Sequence, residues 1–122
     1  MDRREFGRQG ERAAERVLRR AGLIILARNW RAAGGELDLA ALEGETLVFV
    51  EVKSREGGFD AAHPPVSRQQ RGRIARAARA FRQRYGVRHL PFRFDLITVA
   101  GDPQHPRAIT WNHRFHRSQE SK

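Results

Sequence analysis

Cysteine and long apolar runs are both missing from this sequence of 122 residues. The lack of cysteine excludes a disulfide framework and a thiolate metal site. No segment approaches the roughly 20 consecutive apolar residues that a membrane-spanning helix needs. The first residues, Met1 to Arg4, also lack the apolar stretch of a secretory signal. Together these absences predict a cytoplasmic protein that does not bind a membrane.

Lysine is scarce as well, although the chain is strongly basic. Of the 24 basic residues only Lys53 and Lys122 are lysine, and the formal net charge is +10. A GC-rich genome that encodes arginine wherever either residue serves explains most of this bias. Lys53 stands out against it, because lysine is a compact point charge whereas arginine is a planar fork. A surface this basic attracts polyanions, which predicts nucleic acid as the partner.

Hydrophobic residues make up 39% of the chain and recur in compact periodic runs. This length predicts one domain, 1–122, with an ordered core over about 5–115 and a frayed tail over 116–122. Helices alternate with strands, which predicts an α/β fold in which helices pack on one sheet of about five strands. The predicted elements are a helix over 5–21, a buried strand over 23–27, a hairpin of strands 36–42 and 46–53, a mobile loop over 54–65, a helix opened by a Ser67–Gln70 capping box, and strands 92–100 and 108–111.

Glu51 and Lys53 form the first candidate site. Residues two apart in a strand point the same way, so this pair lies at the end of the apolar row made by Leu47 and Phe49. A carboxylate and an ammonium at the rim of a core are costly unless they are paired or bind a ligand. An ordinary salt bridge at a sheet edge is the alternative explanation. Asp38 lies on the preceding strand of the hairpin, and this third charge favours a functional site.

Two carboxylates and a lysine suit the hydrolysis of a phosphodiester. That reaction needs an activated water and neutralisation of the charge that grows on the phosphate oxygens. Mg²⁺ or Mn²⁺ held by Asp38 and Glu51 supplies both, because such ions take oxygen ligands and keep several waters. The backbone carbonyl of Val52 is a further candidate ligand. Lys53 is expected to orient the attacking water or to stabilise the pentavalent phosphate.

This site depends on the register of the hairpin. Facing residues share a face, and a one-residue slip moves the side chains of one strand to the other side of the sheet. A turn that sets Leu42 against either Glu45 or Leu47 places Asp38 on the same face as Glu51. An odd turn separates the two acids unless a β-bulge restores the phase. We therefore predict an even turn or a compensating bulge.

Glu11 is the second candidate acid and lies on the first predicted helix. Its helical neighbours, Gly7, Ala14 and Leu18, are small or apolar, so Glu11 lies at the edge of the buried stripe. Gly7 and Gly10 would let this part of the helix approach the sheet closely. The pattern leaves two interpretations open. Glu11 is either a metal ligand or a glutamate that extends to solvent and pairs with a nearby arginine.

The second predicted helix carries basic side chains without acids. Seven arginines lie between Arg68 and Arg84, and no aspartate or glutamate is there to form ion pairs with them. A solvated helix face explains part of this charge. A surface that follows a phosphate backbone explains its one-sidedness better. The candidate nucleic-acid contacts on this helix are Arg68, Arg71, Arg76 and Arg79.

Several short motifs together resemble the YraN family over about residues 5–115. That family is similar to the archaeal Holliday-junction resolvases, within the restriction-endonuclease-like superfamily of Asp…Glu-x-Lys nucleases. The resemblance implies a restriction-endonuclease-like α/β/α fold with a mixed central sheet. The motifs are Gly7-x-x-Gly10-Glu11-x-x-Ala14, Asn29-Trp30-Arg31, Gly35-Glu36-Leu37-Asp38, Val48-Phe49-Val50-Glu51-Val52-Lys53-Ser54-Arg55 and Arg93-Phe94-Asp95.

The resemblance also implies roles for individual residues. Glu11, Asp38 and Glu51 match candidate metal ligands of the family. Lys53 matches its catalytic lysine. Glu36 belongs to the family's Gly-Glu-x-Asp pattern, where we expect a supporting role.

One position departs from the family pattern. Members of the family often carry a lysine near the start of the second helix, where this chain has Gln70. Glutamine can replace a hydrogen bond to phosphate but not the charge, so Arg68 or Arg71 is expected to compensate. Arg55, which ends the Glu-x-Lys motif, is a further candidate nucleic-acid contact.

The leading hypothesis is a metal-dependent endonuclease that acts on DNA, with branched or otherwise structured DNA as one candidate substrate. The alternative is a non-catalytic DNA- or RNA-binding protein that retains the nuclease fold. All of Glu11, Asp38, Glu51 and Lys53 are present, which favours the enzyme, because a decayed site usually loses at least one such residue. Analogy with resolvases suggests a homodimer.

Overall fold

Helices and strands follow one another in the predicted order, with one helix, three strands, a second helix and two further strands. A computed structural model describes residues 2–59 and 66–113. The elements are α1 (Arg3–Arg20), β1 (Ile24–Ala32), β2 (Gly35–Glu43), β3 (Thr46–Arg55), α2 (Arg68–Arg84), β4 (Phe92–Asp102) and β5 (His105–His113).

All five strands form one sheet in the order β1-β2-β3-β4-β5. Neighbouring strands are antiparallel except β3 and β4, which are parallel. A parallel pair needs a long crossover connection, and α2 lies in that connection. The predicted α/β fold with a mixed sheet of five strands is therefore confirmed.

One helix covers each face of the sheet, which gives three layers. Alternate residues of β3 serve the two faces, so that Val48 and Val50 pack in the α1 layer while Leu47 and Phe49 pack in the α2 layer. The helices contribute Ala13, Ala14 and Leu18 on one face and Ile74, Ala77, Ala78 and Phe81 on the other. Within the described residues, neither helix is both long and apolar enough to cross a membrane.

β1 is an edge strand, and the prediction of a short buried strand over 23–27 is wrong. The strand runs to Ala32, and Ile24 and Leu26 are 60% and 45% exposed. An edge strand has a neighbour on one side only, so less of its surface is covered. The register with β2 also shifts between Ile25 and Ala27, as at a β-bulge. An uninterrupted apolar run does not reveal on which side a strand is covered.

Other boundaries also differ from the predicted ones. β5 begins at His105, earlier than the predicted start at Ala108. β3 continues to Arg55 and so occupies the beginning of the predicted loop over 54–65. Residues 60–65 and the predicted frayed tail over 116–122 lie outside the described residues.

Arg93 and Asp95 form a structural ion pair. Arg93 Nε donates to both carboxylate oxygens of Asp95 at 3.1 Å, and its Nη1 donates to Glu43 at 2.7 Å. The indole Nε1 of Trp111 donates to Asp95 at 2.9 Å. Asp95 is fully buried, so these donors stabilise a charge that would otherwise be costly. The Arg93-Phe94-Asp95 motif therefore joins the β2–β3 hairpin to β4 and β5.

The ion pair between Glu15 and Arg28 joins α1 to β1, and it should make stability depend on pH. Arg28 Nε and Nη2 donate to Glu15 at 2.7 and 2.6 Å. Hydrogen bonding from Arg28 is the main cause that lowers the pKa of Glu15 to about 2. A carboxyl group with a lowered pKa stabilises the fold above its ordinary pKa of 4.5, and this contribution is lost as the pH falls toward 2.

Glu15→Gln should therefore lower the free energy of unfolding by about 0.5–1 kcal/mol at pH 7, since Arg28 is largely solvent-exposed. The loss should shrink steadily as the pH falls below 4.5. Urea unfolding at several pH values measures it. Glu45→Gln, in the exposed hairpin turn, is the matched control. An equal loss at every pH would assign the effect to packing and not to the ion pair.

Candidate metal centre and nucleic-acid cleft

The register of the β2–β3 hairpin brings Asp38 and Glu51 together. Leu42 pairs with Leu47 and Glu43 with Thr46, so Gly44 and Glu45 form an even, two-residue turn. This is one of the two predicted registers that put the acids on one face. Continued past its last pair, Leu39 with Val50, the ladder sets Asp38 opposite Glu51. The geometric condition for a shared site is met.

Beyond the pair of Leu39 and Val50, a side chain of β2 and not its backbone accepts the hydrogen bond from β3. The backbone N–H of Val52 donates to Oδ2 of Asp38 at 2.8 Å, in place of a backbone carbonyl of β2. The N–H and C=O of one strand residue point toward the same neighbouring strand. The carbonyl of Val52 is therefore expected to face the Asp38 side as well, where its predicted role as a metal ligand requires it.

The carboxyl groups of Asp38, which is half-buried, and Glu51, which is buried, lie together. Burial is the main cause that raises the pKa of Asp38 well above its usual range, and the nearby charge of Glu51 raises it further. Burial also raises the pKa of Glu51, while hydrogen bonding with Asp38 and the charge of Lys53 oppose that rise. Two such groups in contact cannot both ionise at little cost unless a proton or a cation lies between them. A divalent cation fits this position.

Lys53 lies beside the pair on the same strand. Its Nζ is 3.2 Å from Oε2 of Glu51, and its side chain is 24% exposed. The predicted arrangement of Glu51 and Lys53 on one face is confirmed. The ammonium group therefore lies beside the carboxylates and remains accessible from solvent.

Glu11 reaches the site from α1 because the helix approaches β3 closely at Gly10. A Cβ atom at Gly10 would lie 1.8 Å from Oγ and 3.0 Å from Cβ of Ser54, so a larger residue would require the serine side chain or the helix to move. A Cβ atom at Gly7 would meet nothing within 4 Å, so the prediction that Gly7 also permits a close approach is wrong. The approach at Gly10 sets the following residue, Glu11, over the end of β3.

Among the described residues, the side chain that donates a hydrogen bond to Glu11 is an amide. Nδ2 of Asn29 donates to Oε1 of Glu11 at 3.0 Å. Asn29 has a φ of +46°, in the left-handed region that asparagine tolerates better than most residues. Burial is the main cause that raises the pKa of Glu11, and the negative charges of Asp38 and Glu36 raise it further. Of the two open interpretations, the structure favours a carboxylate directed at the acidic site.

The candidate ligands surround the site without forming a finished coordination shell. Within residues 2–59 and 66–113, no three acidic or histidine side chains are gathered as a ready set of metal ligands. Asp38 and Glu51 are the pair that meets, and two carboxylates are enough for Mg²⁺, which keeps several waters. Direct ligation by Glu11 remains a prediction. Glu36 acts through its charge, which raises the pKa of Asp38 after the larger effects of burial and Glu51.

The candidate metal ligands and Glu36 line a cleft of about 660 Å³ between the open end of the β2–β3 hairpin and α2. Gly35 forms part of its wall, where a Cβ atom would lie 2.0 Å from the carbonyl oxygen of Arg73. Glycine at this position therefore lets β2 and α2 meet at the edge of the cleft. The lining side chains that carry charge are Glu11, Arg31, Glu36, Asp38, Glu51, Lys53 and Arg73.

A second cleft, of about 520 Å³, adjoins the first. Both are lined by Glu11, Val52 and Lys53, whereas Asp38 and Glu51 line the first cleft and not the second. The second cleft extends between the first turns of α1 and the end of β3, where Arg3, Phe6 and Arg55 line it.

Comparison with known proteins identifies a family for this chain. The model of a family described as "Uncharacterised protein family UPF0102" matches residues 10–99. The chain is 42% identical over 109 residues to a UPF0102 protein of Nocardia farcinica, covering 88% of this chain and 86% of that protein. It is 42% identical over 113 residues to one of Pseudomonas aeruginosa (88% and 89% covered) and 40% identical over 94 residues to one of Hahella chejuensis (76% of each).

The chain belongs to the UPF0102 family. The predicted resemblance to the YraN family is thereby confirmed, and the matched segment contains Glu11, Asp38, Glu51 and Lys53. The family is described as uncharacterised, so membership assigns no activity. The function of this UPF0102 protein has to be argued from its site.

The predicted nucleic-acid contacts are distributed over the surface unevenly. Gln70 lines the first cleft, and Arg55 lines the second. Four others on α2 line neither of these two clefts: Arg68, Arg76 and Arg79, which are exposed, and Arg71, which is half-buried. A further arginine of α2, Arg82, is buried with its guanidinium 3.9 Å above the ring of Phe92, so it belongs to the core.

Arg31 and Arg73 line the first cleft and were missed by sequence reasoning. The side chain of Gln70 takes part in the predicted capping box, in which its Oε1 accepts from the N–H of Ser67 at 3.1 Å. Arg73 is the arginine of α2 that lines this cleft, while compensation by Arg68 or Arg71 remains a prediction. The Asn29-Trp30-Arg31 motif was the available signal for Arg31, and the 3.6-residue spacing after Gln70 was the signal for Arg73.

Proposed function

We propose that this UPF0102 protein is a Mg²⁺- or Mn²⁺-dependent endonuclease that hydrolyses phosphodiester bonds of DNA, with branched or otherwise structured DNA as a candidate substrate. One observation carries the proposal. Asp38, which is half-buried, and Glu51, which is buried, form a carboxyl pair with raised pKa values in a cleft that Lys53 also lines. A buried acidic pair costs stability, and strongly perturbed carboxyl groups in a cleft are typical of functional sites.

Asp38, Glu51 and the carbonyl of Val52 would hold the cation, with Glu11 as a further ligand. When bound, the cation activates water and neutralises charge on the phosphate. Asn29 holds Glu11 in place through its 3.0 Å hydrogen bond. Lys53, 3.2 Å from Glu51, is placed to orient a water or to donate to a phosphate oxygen.

The cations that line the first cleft are placed to bind a phosphate backbone. Arg31 and Arg73 lie in this cleft together with Asp38 and Glu51. Arg31 also pairs with Glu36 at 3.5 Å. A phosphate held by these cations would lie beside the carboxylate pair, which supports a nuclease.

The proposal is tested by incubating the purified protein with linear, nicked, flapped and four-way DNA in the presence of Mg²⁺ or Mn²⁺. Metal-dependent internal cleavage of at least one substrate is expected, and none in EDTA. Asp38→Asn protein purified in parallel controls for a contaminating nuclease. Binding without cleavage of any substrate would support the alternative, a binding protein that retains the nuclease fold.

Binding to duplex DNA is expected to weaken steeply with salt because each phosphate contact adds a slope of about −0.9 to log K against log salt. The exposed Arg76 and Arg79 on α2 are predicted contacts. Replacing both with glutamine should reduce the magnitude of the slope by up to about 1.8 if both touch phosphate. Arg20→Gln, an exposed arginine of α1, is the control. A slope near zero in the wild type would remove the proposed role of the basic surface.

A further inference from the structure

The second cleft has a different chemistry from the first. It adjoins the carboxylate site through Glu11 and Lys53, and it continues between Phe6 on α1 and Arg55 at the end of β3. Apart from Glu11 and Lys53, which it shares with the first cleft, its charged lining residues are Arg3 and Arg55 together with Asp2 and Glu56. Positive and negative side chains are therefore balanced along this wall, so charge alone gives it little preference for a phosphate backbone.

Flat, stackable groups distinguish this wall. Phe6 is half-buried and lines the cleft, and the guanidinium of Arg55 lies 4.8 Å from the centre of the Phe59 ring. Aromatic rings and arginine planes are the groups on which unpaired bases stack in proteins that bind single strands. Bases inside a duplex are already stacked on each other and cannot use such a surface.

Gly7 leaves room for a ligand next to Phe6. It lies inside α1, where glycine is less favourable than alanine, yet a Cβ atom there would meet nothing within 4 Å. Packing inside the protein therefore does not require glycine at this position. Gly7 lines the second cleft, and any side chain there would project into it.

We propose that the cleft between α1 and the end of β3 binds an unpaired nucleotide of the substrate, whose base stacks against Phe6 in the space left by Gly7. The position relative to the scissile phosphate rests on the proposed nuclease function, since Glu11 and Lys53 line both clefts. The substrate class is then nucleic acid with a single-stranded segment beside the cleavage point, as at a flap or a junction.

The test measures binding separately from cleavage. Fluorescence anisotropy in EDTA and in Ca²⁺ compares a labelled blunt duplex with a duplex of equal length that carries a single-stranded flap. Wild-type protein is expected to prefer the flap. Phe6→Ala should weaken flap binding by roughly 5- to 150-fold, the usual range for one stacked base, and leave duplex binding unchanged.

Gly7→Leu provides a second variant that should not disturb the fold, because a Cβ atom at this position would meet nothing within 4 Å. It should weaken flap binding to a similar extent by filling the cleft. Ala21→Leu, at the exposed end of α1 and outside both clefts, is the matched control. Thermal unfolding of each variant checks the fold.

Equal affinity of the wild type for flap and duplex would overturn the inference, as would unchanged flap binding in Gly7→Leu. A parallel loss for both probes would show that the cleft does not read single strands. Cleavage assays on the same preparations keep the two proposals apart. If no DNA is cut but Gly7→Leu still loses flap binding selectively, the single-strand site stands and the nuclease function fails.

Discussion

Glu51→Gln is expected to lower metal-dependent cleavage on the order of 10³-fold or more, and Asp38→Asn should do the same. A bound divalent cation supplies several kcal/mol of transition-state stabilisation, and each 1.36 kcal/mol is tenfold in rate. Either change removes the negative charge of one proposed metal-binding carboxylate and keeps nearly the same side-chain shape. Glu45→Gln, in the exposed hairpin turn, removes the same charge away from the site and should have no effect.

Stability measurements separate the loss of catalysis from a loss of folding. Both pKa values are raised in the folded protein, so the pair contributes stability below its ordinary pKa values and loses that contribution as the pH rises through the raised ones. Asp38→Asn should therefore not lower the Tm at neutral pH in the absence of metal. Mn²⁺ should raise the Tm of the wild type and not that of Asp38→Asn. Wild-type cleavage rates in both variants would show that the site has been assigned wrongly.

Local periodicity was enough to predict the centre of the site. The two-residue repeat of a strand places Glu51 and Lys53 on one face, and the short turn between β2 and β3 leaves few registers for Asp38. The observed pairing of Leu42 with Leu47 is one of those registers. Short-range rules also predicted the capping box of Ser67 and Gln70, which involves only neighbouring residues.

The parts of the site that come from distant elements were harder to predict. Arg31 and Arg73 meet in one cleft only because Gly35 lets β2 approach the backbone of α2. Asn29 points at Glu11 from a left-handed backbone conformation, which no hydrophobic pattern encodes. Spacing along the chain fixes which side of a helix or strand a residue occupies, but not which element packs against it.

The exposed strand β1 also shows that spacing along the chain does not predict which element covers a residue. Ile24 and Leu26 belong to an apolar run that predicted a buried strand, and both are largely exposed at the edge of the sheet. The neighbouring strand β2 buries Leu37, Leu39, Ala40 and Ala41 although it also carries two glutamates and an aspartate. Strand order decides between the two outcomes, and strand order is a property of the whole chain.

Lys53→Met is expected to lower cleavage by about 10²- to 10³-fold without preventing metal binding, because such a loss is typical when one donor to the transition state is removed. The Nζ of Lys53 lies 3.2 Å from Glu51, beside the proposed ligands and not among them. The rise in Tm caused by Mn²⁺ should therefore persist in this variant, in contrast to Asp38→Asn.

Lys53→Arg should restore little activity, since a planar guanidinium does not occupy the place of a compact ammonium. Arg20→Met, on the exposed end of α1, controls for the loss of one positive charge. Full activity in Lys53→Met would show that Lys53 is not catalytic. Its role would then be the salt bridge to Glu51, which is the alternative explanation for a lysine at this position.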